Sequence, residues 1–310
     1  MNVVFMGTPE IAMEILKSLK ESDNNVIGVV CQPDSKSGRG NNVRYSEVKE
    51  YALENNLKLM QPLKVRNNEE FLSELKELNP DVICVCAYGK IIPKEVLNLP
   101  KYGCINVHAS LLPRLRGASP IQSAILLGEE KTGITIMKMA EGIDDGDMIL
   151  KGEVQIGQMN YEELYKKLTE MGKDLIIKAL KEIEDGTAKY EKQDSSLATY
   201  VTTIDKKDGK IDFSLDAIVI ERKVRAFDPW PGAFCELNGV VYKFWKVEVV
   251  SGSGKPGEIL SIDNNGITVS CGKDAILVKE LQIPGKKRVS VKDFLLGHKI
   301  NLHDTFIWYW

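Results

Sequence analysis

Long apolar runs are missing from this 310-residue chain. Its most apolar stretches, such as Val82 to Ala87, fall far short of the roughly 20 residues a membrane-crossing helix needs. Met1 leads straight into the strand-like Asn2-Val3-Val4-Phe5-Met6, with no basic segment and no signal-peptide pattern. No membrane partner is therefore expected, and a cytoplasmic location is. Cysteine pairs are also lacking: of six cysteines (31, 84, 86, 104, 235 and 271) none forms C-x-x-C. Most sit in apolar runs, where a reduced cysteine acts as a small hydrophobe, so zinc and redox roles are set aside. Charge of one sign is not in excess. The net charge of −3 gives no general attraction to nucleic acid. Three motifs are absent as well. Without G-x-G-x-x-G a dinucleotide reading has little support, and without G-x-x-x-x-G-K-[ST] neither has a P-loop nucleotidase. Without G-x-S-x-G a serine nucleophile is disfavoured.

What is present alternates. Residues 2–6 read as a buried strand, Gly7-Thr8-Pro9 as a turn, and Glu10 to about Lys20 as a helix. Strands are expected at 26–31, 58–60, 81–87 and 103–108, and helices near 46–55 and 68–78. Residues 32–44 are polar and lack a period, which marks a long loop. This order argues for an α/β fold with a Rossmann-like, mostly parallel sheet. Residues 133–139 and 148–154 read as an antiparallel pair across an acidic turn, and 161–184 as one long amphipathic helix. The stretch 185–205 is polar and aperiodic. A short helix near 215–226 follows, then five short strands at 233–237, 240–250, 257–263, 266–271 and 275–282, separated by Asn-Gly turns. Five short strands suggest a small β-barrel of the oligonucleotide-binding kind. The expected division is a catalytic domain over 1–185, a linker over 186–204 and a C-terminal barrel over 205–310.

Only three histidines occur, and His108 stands in Asn106-Val107-His108-Ala109-Ser110-Leu111-Leu112-Pro113. If the strand runs to His108, Asn106 and His108 share a face at its carboxyl end, where ligands bind in such sheets. The loop after it can hold a ligand through its backbone. Ile143-Asp144-Asp145-Gly146-Asp147 supplies carboxylates that can orient the imidazole. Carboxamide, imidazole and carboxylate suit direct transfer: the amide donates to a developing oxyanion and the imidazole moves or stabilises a proton. The bland alternatives are a structural histidine and a solvated acidic turn. The turn lacks the ligand spacing of a calcium loop, so no metal is expected. His298 and His303 are read as surface or fold residues. Lys286-Lys287-Arg288 is a local basic run, although short charge runs are usually solvated faces.

These segments resemble the folate-dependent formyltransferases, along nearly the whole chain. Met6-Gly7-Thr8-Pro9, Gln32-Pro33-Asp34 with Gly38-Arg39-Gly40, Ala87-Tyr88-Gly89 with Ile92-Pro93, and Asn106 through Ala118 resemble family motifs, the last of them its signature. Ile143 to Asp147 resembles the loop bearing the catalytic acid. Arg225-Ala226-Phe227, Pro229-Trp230-Pro231 and Pro284-Gly285-Lys286 resemble motifs of the tRNA-formylating branch. Two positions depart: Leu115 stands where that branch usually carries Trp, and Ser119 where Ala is common.

The resemblance implies 10-formyltetrahydrofolate as co-substrate and the α-amine of initiator methionyl-tRNA as acceptor, with no metal. Asn106 and His108 would donate to the oxyanion, and Asp144 would pair with His108 and help move the amine proton through water. Ser110, Leu111, Leu112 and Pro113 would line the folate cleft. Arg39, with Lys36 and Arg44 in the same loop, would reach the tRNA, as would Lys286, Lys287 and Arg288. A monomer is expected. Two rivals stand beside this reading: a formyltransferase acting on a small amine such as an amino-sugar nucleotide, and a catalytically silent RNA-binding protein.

Overall fold

Val3 to Met6 are fully buried in the computed structural model, which describes residues 1–37 and 42–307. They form the centre of strand β1 (Asn2–Gly7), and Pro9 then opens helix α1 (Glu10–Glu21). Strand β2 (Asn25–Val30) follows. The polar stretch expected as a loop contains a two-strand antiparallel ribbon, β3 (Ser35–Ser37) and β4 (Asn42–Arg44). Its sequence has no apolar alternation to announce it. Gly38, Arg39 and Gly40 lie outside the described residues.

Side-chain caps set the next helices. Ser46 accepts from the Lys49 N–H to start α2 (Glu47–Glu54), and Asn68 accepts from the Phe71 N–H to start α3 (Glu69–Leu78). Asn79 ends α3 in the left-handed region. The first unit continues through β5 (Leu59–Met60), β6 (Val82–Cys86), α4 (Lys94–Leu97), β7 (Cys104–His108) and β8 (Arg116–Gly117). Helix α5 (Pro120–Leu127), strands β9 (Lys131–Lys138) and β10 (Met148–Gln155), helix α6 (Tyr161–Glu184) and strand β11 (Tyr200–Val201) come after.

The main sheet has the order β10-β9-β7-β6-β1-β2-β5. The strands from β7 to β5 are parallel, and β9 and β10 are antiparallel to their neighbours. This is the mostly parallel sheet that the alternation predicts. Val4, Met6, Val30, Ile83 and Val85 pack on Phe71 and Leu75 of α3 over one face. On the other, a Cβ placed at Gly172 of α6 would meet Ile15 Cδ1 at 3.1 Å and Val107 Cγ1 at 3.3 Å. Close approach of helix and sheet thus accounts for a glycine inside a long helix.

The second compact unit begins at Thr202 and takes in residues 121–130 and 156–165. Helix α7 (Ala217–Ala226) precedes β12 (Ala233–Leu237), β13 (Val240–Val250), β14 (Ile259–Asp263), β15 (Gly266–Ser270) and β16 (Ala275–Gln282). Strand β17 (Val289–Ser290) pairs β16, and α8 (Val291–Leu295) follows it. The antiparallel order is β12-β13-β16-β15-β14. The chain's last described residues link the two outer strands. Ile307 bridges Glu236 of β12, and Thr305 bridges Glu258 beside β14. Phe306 between them is fully buried against Phe213, Tyr242 and Phe244. The aromatic tail therefore packs as far as Ile307, and Trp308 to Trp310 lie outside the described residues.

Of residues 186–204, expected as a linker, 186–201 belong to the first unit. Glu191 bridges Met148, and β11 pairs in parallel with β8. Among the described residues no cluster of His, Cys, Asp or Glu is placed to hold a metal ion, and no helix is long and apolar enough to cross a membrane.

Candidate active site

Strand β7 does run to His108, with Asn106 paired to Met137 and His108 to Thr135 of β9. Two residues apart, Asn106 and His108 project to the same side at the carboxyl end of the strand. Both are largely buried, at 8% and 6% exposure. Among the described residues the Asn106 carboxamide has no hydrogen-bond partner, and its polar atoms keep some access to solvent. It is a donor free for a ligand.

His108 is held at Nε2. Nε2 lies 3.0 Å from the Leu115 carbonyl, which can only accept, so Nε2 carries the hydrogen in that bond. Nδ1 then faces Asp144 Oδ2 at 3.6 Å. Leu115 and Asp144 are both non-glycine residues with positive φ, at 58° and 49°. Such backbone costs roughly 1–3 kcal/mol and persists only where its surroundings fix it.

The surroundings here are specific. The Gly117 N–H donates to Asp144 Oδ2 at 2.8 Å. The Gln193 side-chain amide donates to the carbonyls of Asp144 and Gly146 at 2.7 and 2.8 Å. Its oxygen accepts from Arg116 Nε at 3.0 Å and Nη2 at 2.7 Å, and Arg116 Nη1 donates to the Tyr200 hydroxyl at 3.0 Å. The backbone of the signature is fixed by the same stretch: Leu115 N–H donates to Thr199 Oγ1, Arg116 N–H to the Thr199 carbonyl and Ala118 N–H to the Val201 carbonyl. Gly146 meets the Lys138 backbone so closely that a Cβ would strike the Lys138 carbonyl.

Ser110 to Pro113 form a tight wall. Ser110 is fully buried, its Oγ donates to the Arg114 carbonyl at 2.7 Å and its own carbonyl accepts from Thr135 Oγ1 at 2.7 Å. The Leu112 N–H donates to the same threonine oxygen at 3.1 Å. Leu112 packs with Met137 and Met148, and Met139 lies against them. Much of the polar backbone that the sequence offers for a ligand is thus engaged inside the loop.

Residues 1–180 match the formyl transferase family, and residues 203–299 match the formyl transferase C-terminal domain. A methionyl-tRNA formyltransferase of Caldanaerobacter subterraneus subsp. tengcongensis is 46% identical over 97% of this chain and 98% of its own length. The chain belongs to the methionyl-tRNA formyltransferase family. Solved structures share its fold. The methionyl-tRNA formyltransferase from Clostridium thermocellum aligns over 91% of this chain and 98% of that one, with a TM-score of 0.55 and 20% identity. An N-formyltransferase from Helicobacter canadensis, solved with folinic acid and dTDP-3-aminofucose, aligns over 90% and 98% with a TM-score of 0.67 and 19% identity. At such identity these two speak for the fold alone.

The family's basic candidates fall in two places. Lys36 is on β3, Arg39 lies outside the described residues, and Arg44 on β4 is exposed beside Glu47 at 3.4 Å. Lys286, Lys287 and Arg288 lie in the second unit between β16 and β17. Lys286 and Lys287 are exposed and, among the described residues, form no ion pair. Arg288 differs. It donates to Glu280 Oε2 at 2.6 Å and to the buried Asp228 Oδ2 at 2.9 Å, and it lies over the Trp245 ring. Hydrogen bonds to these two carboxylates hold its guanidinium above the usual range, against the opposing effect of burial.

Sequence reasoning did not find Gln193, Thr199, Tyr200, Thr135 or the side chain of Arg116. The first three sit in a polar stretch without a period, and only the fold carries Gln193 to the acidic turn and Thr199 and Tyr200 to Leu115 and Arg116.

Proposed function

We propose that this chain transfers the formyl group of 10-formyltetrahydrofolate to the α-amine of methionyl-initiator tRNA, as a cytoplasmic monomer. What carries this reading is the near-full-length relative of that name at 46% identity, joined to an Asn106-His108-Asp144 set at the carboxyl end of β7. The donor set fits a formyl amide. As the amine adds, negative charge grows on the formyl oxygen, and the free Asn106 carboxamide is placed to donate to it. His108, its Nε2 bonded to the Leu115 carbonyl, turns Nδ1 to Asp144, and the two pass the amine proton through water to the folate nitrogen, which leaves as its bond to the formyl carbon breaks. The folate lies against the wall from Ser110 to Pro113, which contributes shape more than hydrogen bonds.

In this reading residues 1–185 are the catalytic domain, 186–204 connect, and 205–310 bind the tRNA. Arg39, Lys36 and Arg44 of the 32–44 stretch address the tRNA, as do Lys286 and Lys287 of the C-terminal barrel. Arg288 supports that surface through its carboxylates rather than by a free charge. The deciding experiment compares formyl transfer from 10-formyltetrahydrofolate to Met-charged initiator tRNA, Met-charged elongator tRNA and an amino-sugar nucleotide. Preference for the initiator tRNA is expected. Transfer confined to the amino sugar would keep the site and overturn the substrate.

A further inference from the structure

The geometry points to Gln193 as a positioning residue that sets the Asp144 carboxylate against His108. The inference rests on the proposed formyl transfer for its kinetic consequence, but not for its structural one. Four hydrogen bonds saturate the Gln193 amide. Its nitrogen donates twice, to the carbonyls of Asp144 and Gly146, and its oxygen accepts twice, both times from Arg116. A flipped amide would turn its NH2 toward a guanidinium and its oxygen toward two carbonyls. The amide orientation is therefore fixed by chemistry.

The two carbonyls it collects flank the turn's acidic centre. Asp144 holds a positive φ of 49°, which aims its carboxylate back at the Gly117 N–H and at His108 Nδ1. Aspartate tolerates that backbone better than most non-glycine residues, and among the described residues Gln193 is the side chain that gathers the turn from outside it. Arg116 is 2% exposed and Tyr200 fixes its remaining Nη, so the clamp is anchored at its far end. The whole relay, Tyr200 to Arg116 to Gln193 to the Asp144 turn to His108, lies within the first unit.

The Gln193→Glu variant separates positioning from folding. It keeps the shape and leaves Arg116 with a carboxylate partner, so the buried guanidinium stays compensated. It removes both donors to the turn and sets a negative oxygen against two carbonyls. A residue needed only for folding would lose stability without a change in kcat of the folded protein. A positioning residue would lose kcat. The expected result is a folded protein with KM for folate and tRNA within about twofold of wild type and kcat lower by on the order of 10- to 10²-fold, the scale of a small misplacement at a reacting centre. Labelled imidazole NMR supplies the second readout: the His108 ring signals should move, and those of His298 and His303 should not. Unchanged kcat, or a loss of kcat with unmoved His108 signals, would overturn the proposal. A wild-type chain inactive toward methionyl-tRNA would sink the functional reading instead, and the imidazole signals would still decide whether Gln193 holds the turn. If Gln193→Glu failed to fold, Tyr200→Phe removes the outer anchor alone. A smaller shift of the His108 signals is then expected, and its absence would also overturn the proposal.

Discussion

The carbonyl of Leu115 accepts from Nε2 of His108 at 3.0 Å, so a leucine's backbone, not its side chain, orients the only histidine at this site. The bond leaves Nδ1 toward Asp144. It also gives position 115 a role independent of residue type, since any residue able to hold φ near 58° presents the same carbonyl.

Removal of the groups that face the reaction should act on kcat. Asn106→Ala deletes a carboxamide that has no partner among the described residues, so the fold loses little while the oxyanion loses a donor. One such donor is worth roughly 10²–10³-fold in kcat. Asp144→Asn keeps an oxygen for the Gly117 N–H and removes the charge beside His108, with a loss on the order of 10²-fold expected. Steady-state formyl transfer checks both, and a variant retaining most of its activity with unchanged folate binding would remove that residue from the mechanism.

The basic residues should divide by experiment. Lys286→Ala with Lys287→Ala should leave the melting temperature unchanged and reduce the salt slope of tRNA binding by roughly one for each phosphate no longer neutralised. Arg288→Ala strands Asp228, which is 7% exposed, without its cation and should cost about 1–3 kcal/mol of stability. Thermal unfolding and a salt titration distinguish the two patterns. A large salt effect from Arg288→Ala with no loss of stability would reverse the assignment.

Arg39→Ala should raise KM for tRNA more than KM for folate, because in the proposed reading the 32–44 stretch addresses the tRNA while Asn106 and His108 act at the formyl group. Separate titration of the two substrates measures this. Equal changes in both would speak against a tRNA role.

The parts of this molecule that repeat a period were legible in its sequence. Helix 161–184 and strands 233–237, 240–250 and 275–282 lie where their apolar pattern places them, because burial of one face dictates both pattern and element. Asn106 and His108 were legible for the same reason, as alternate residues at the end of a buried strand. The clamp was not. Gln193, Thr199 and Tyr200 act through hydrogen bonds to groups 47 to 84 positions away in sequence, and such bonds leave no local pattern. The short pair of β8 and β11 has two residues on each side, too few for any alternation to show.

The cysteines give the pH dependence. All six are free and buried. Burial pushes the thiols of Cys86, Cys104 and Cys271 from the ordinary 9.0 up to about 12, and Cys84 and Cys235 are also raised by burial. In the folded chain these thiols stay protonated where unfolded thiols ionise. Between about pH 9 and pH 12 the folded state therefore holds more protons than the unfolded one, and stability falls as pH rises. Their contribution is fully present below pH 9. Two measurements follow. Denaturant midpoints should decline above pH 9, and a thiol reagent at pH 8 should label the native chain slowly but the unfolded chain at six sites. Rapid native labelling of Cys84, Cys86 or Cys104 would mean that β6 and β7, the strand that carries Asn106 and His108, open readily, against the expectation from burial.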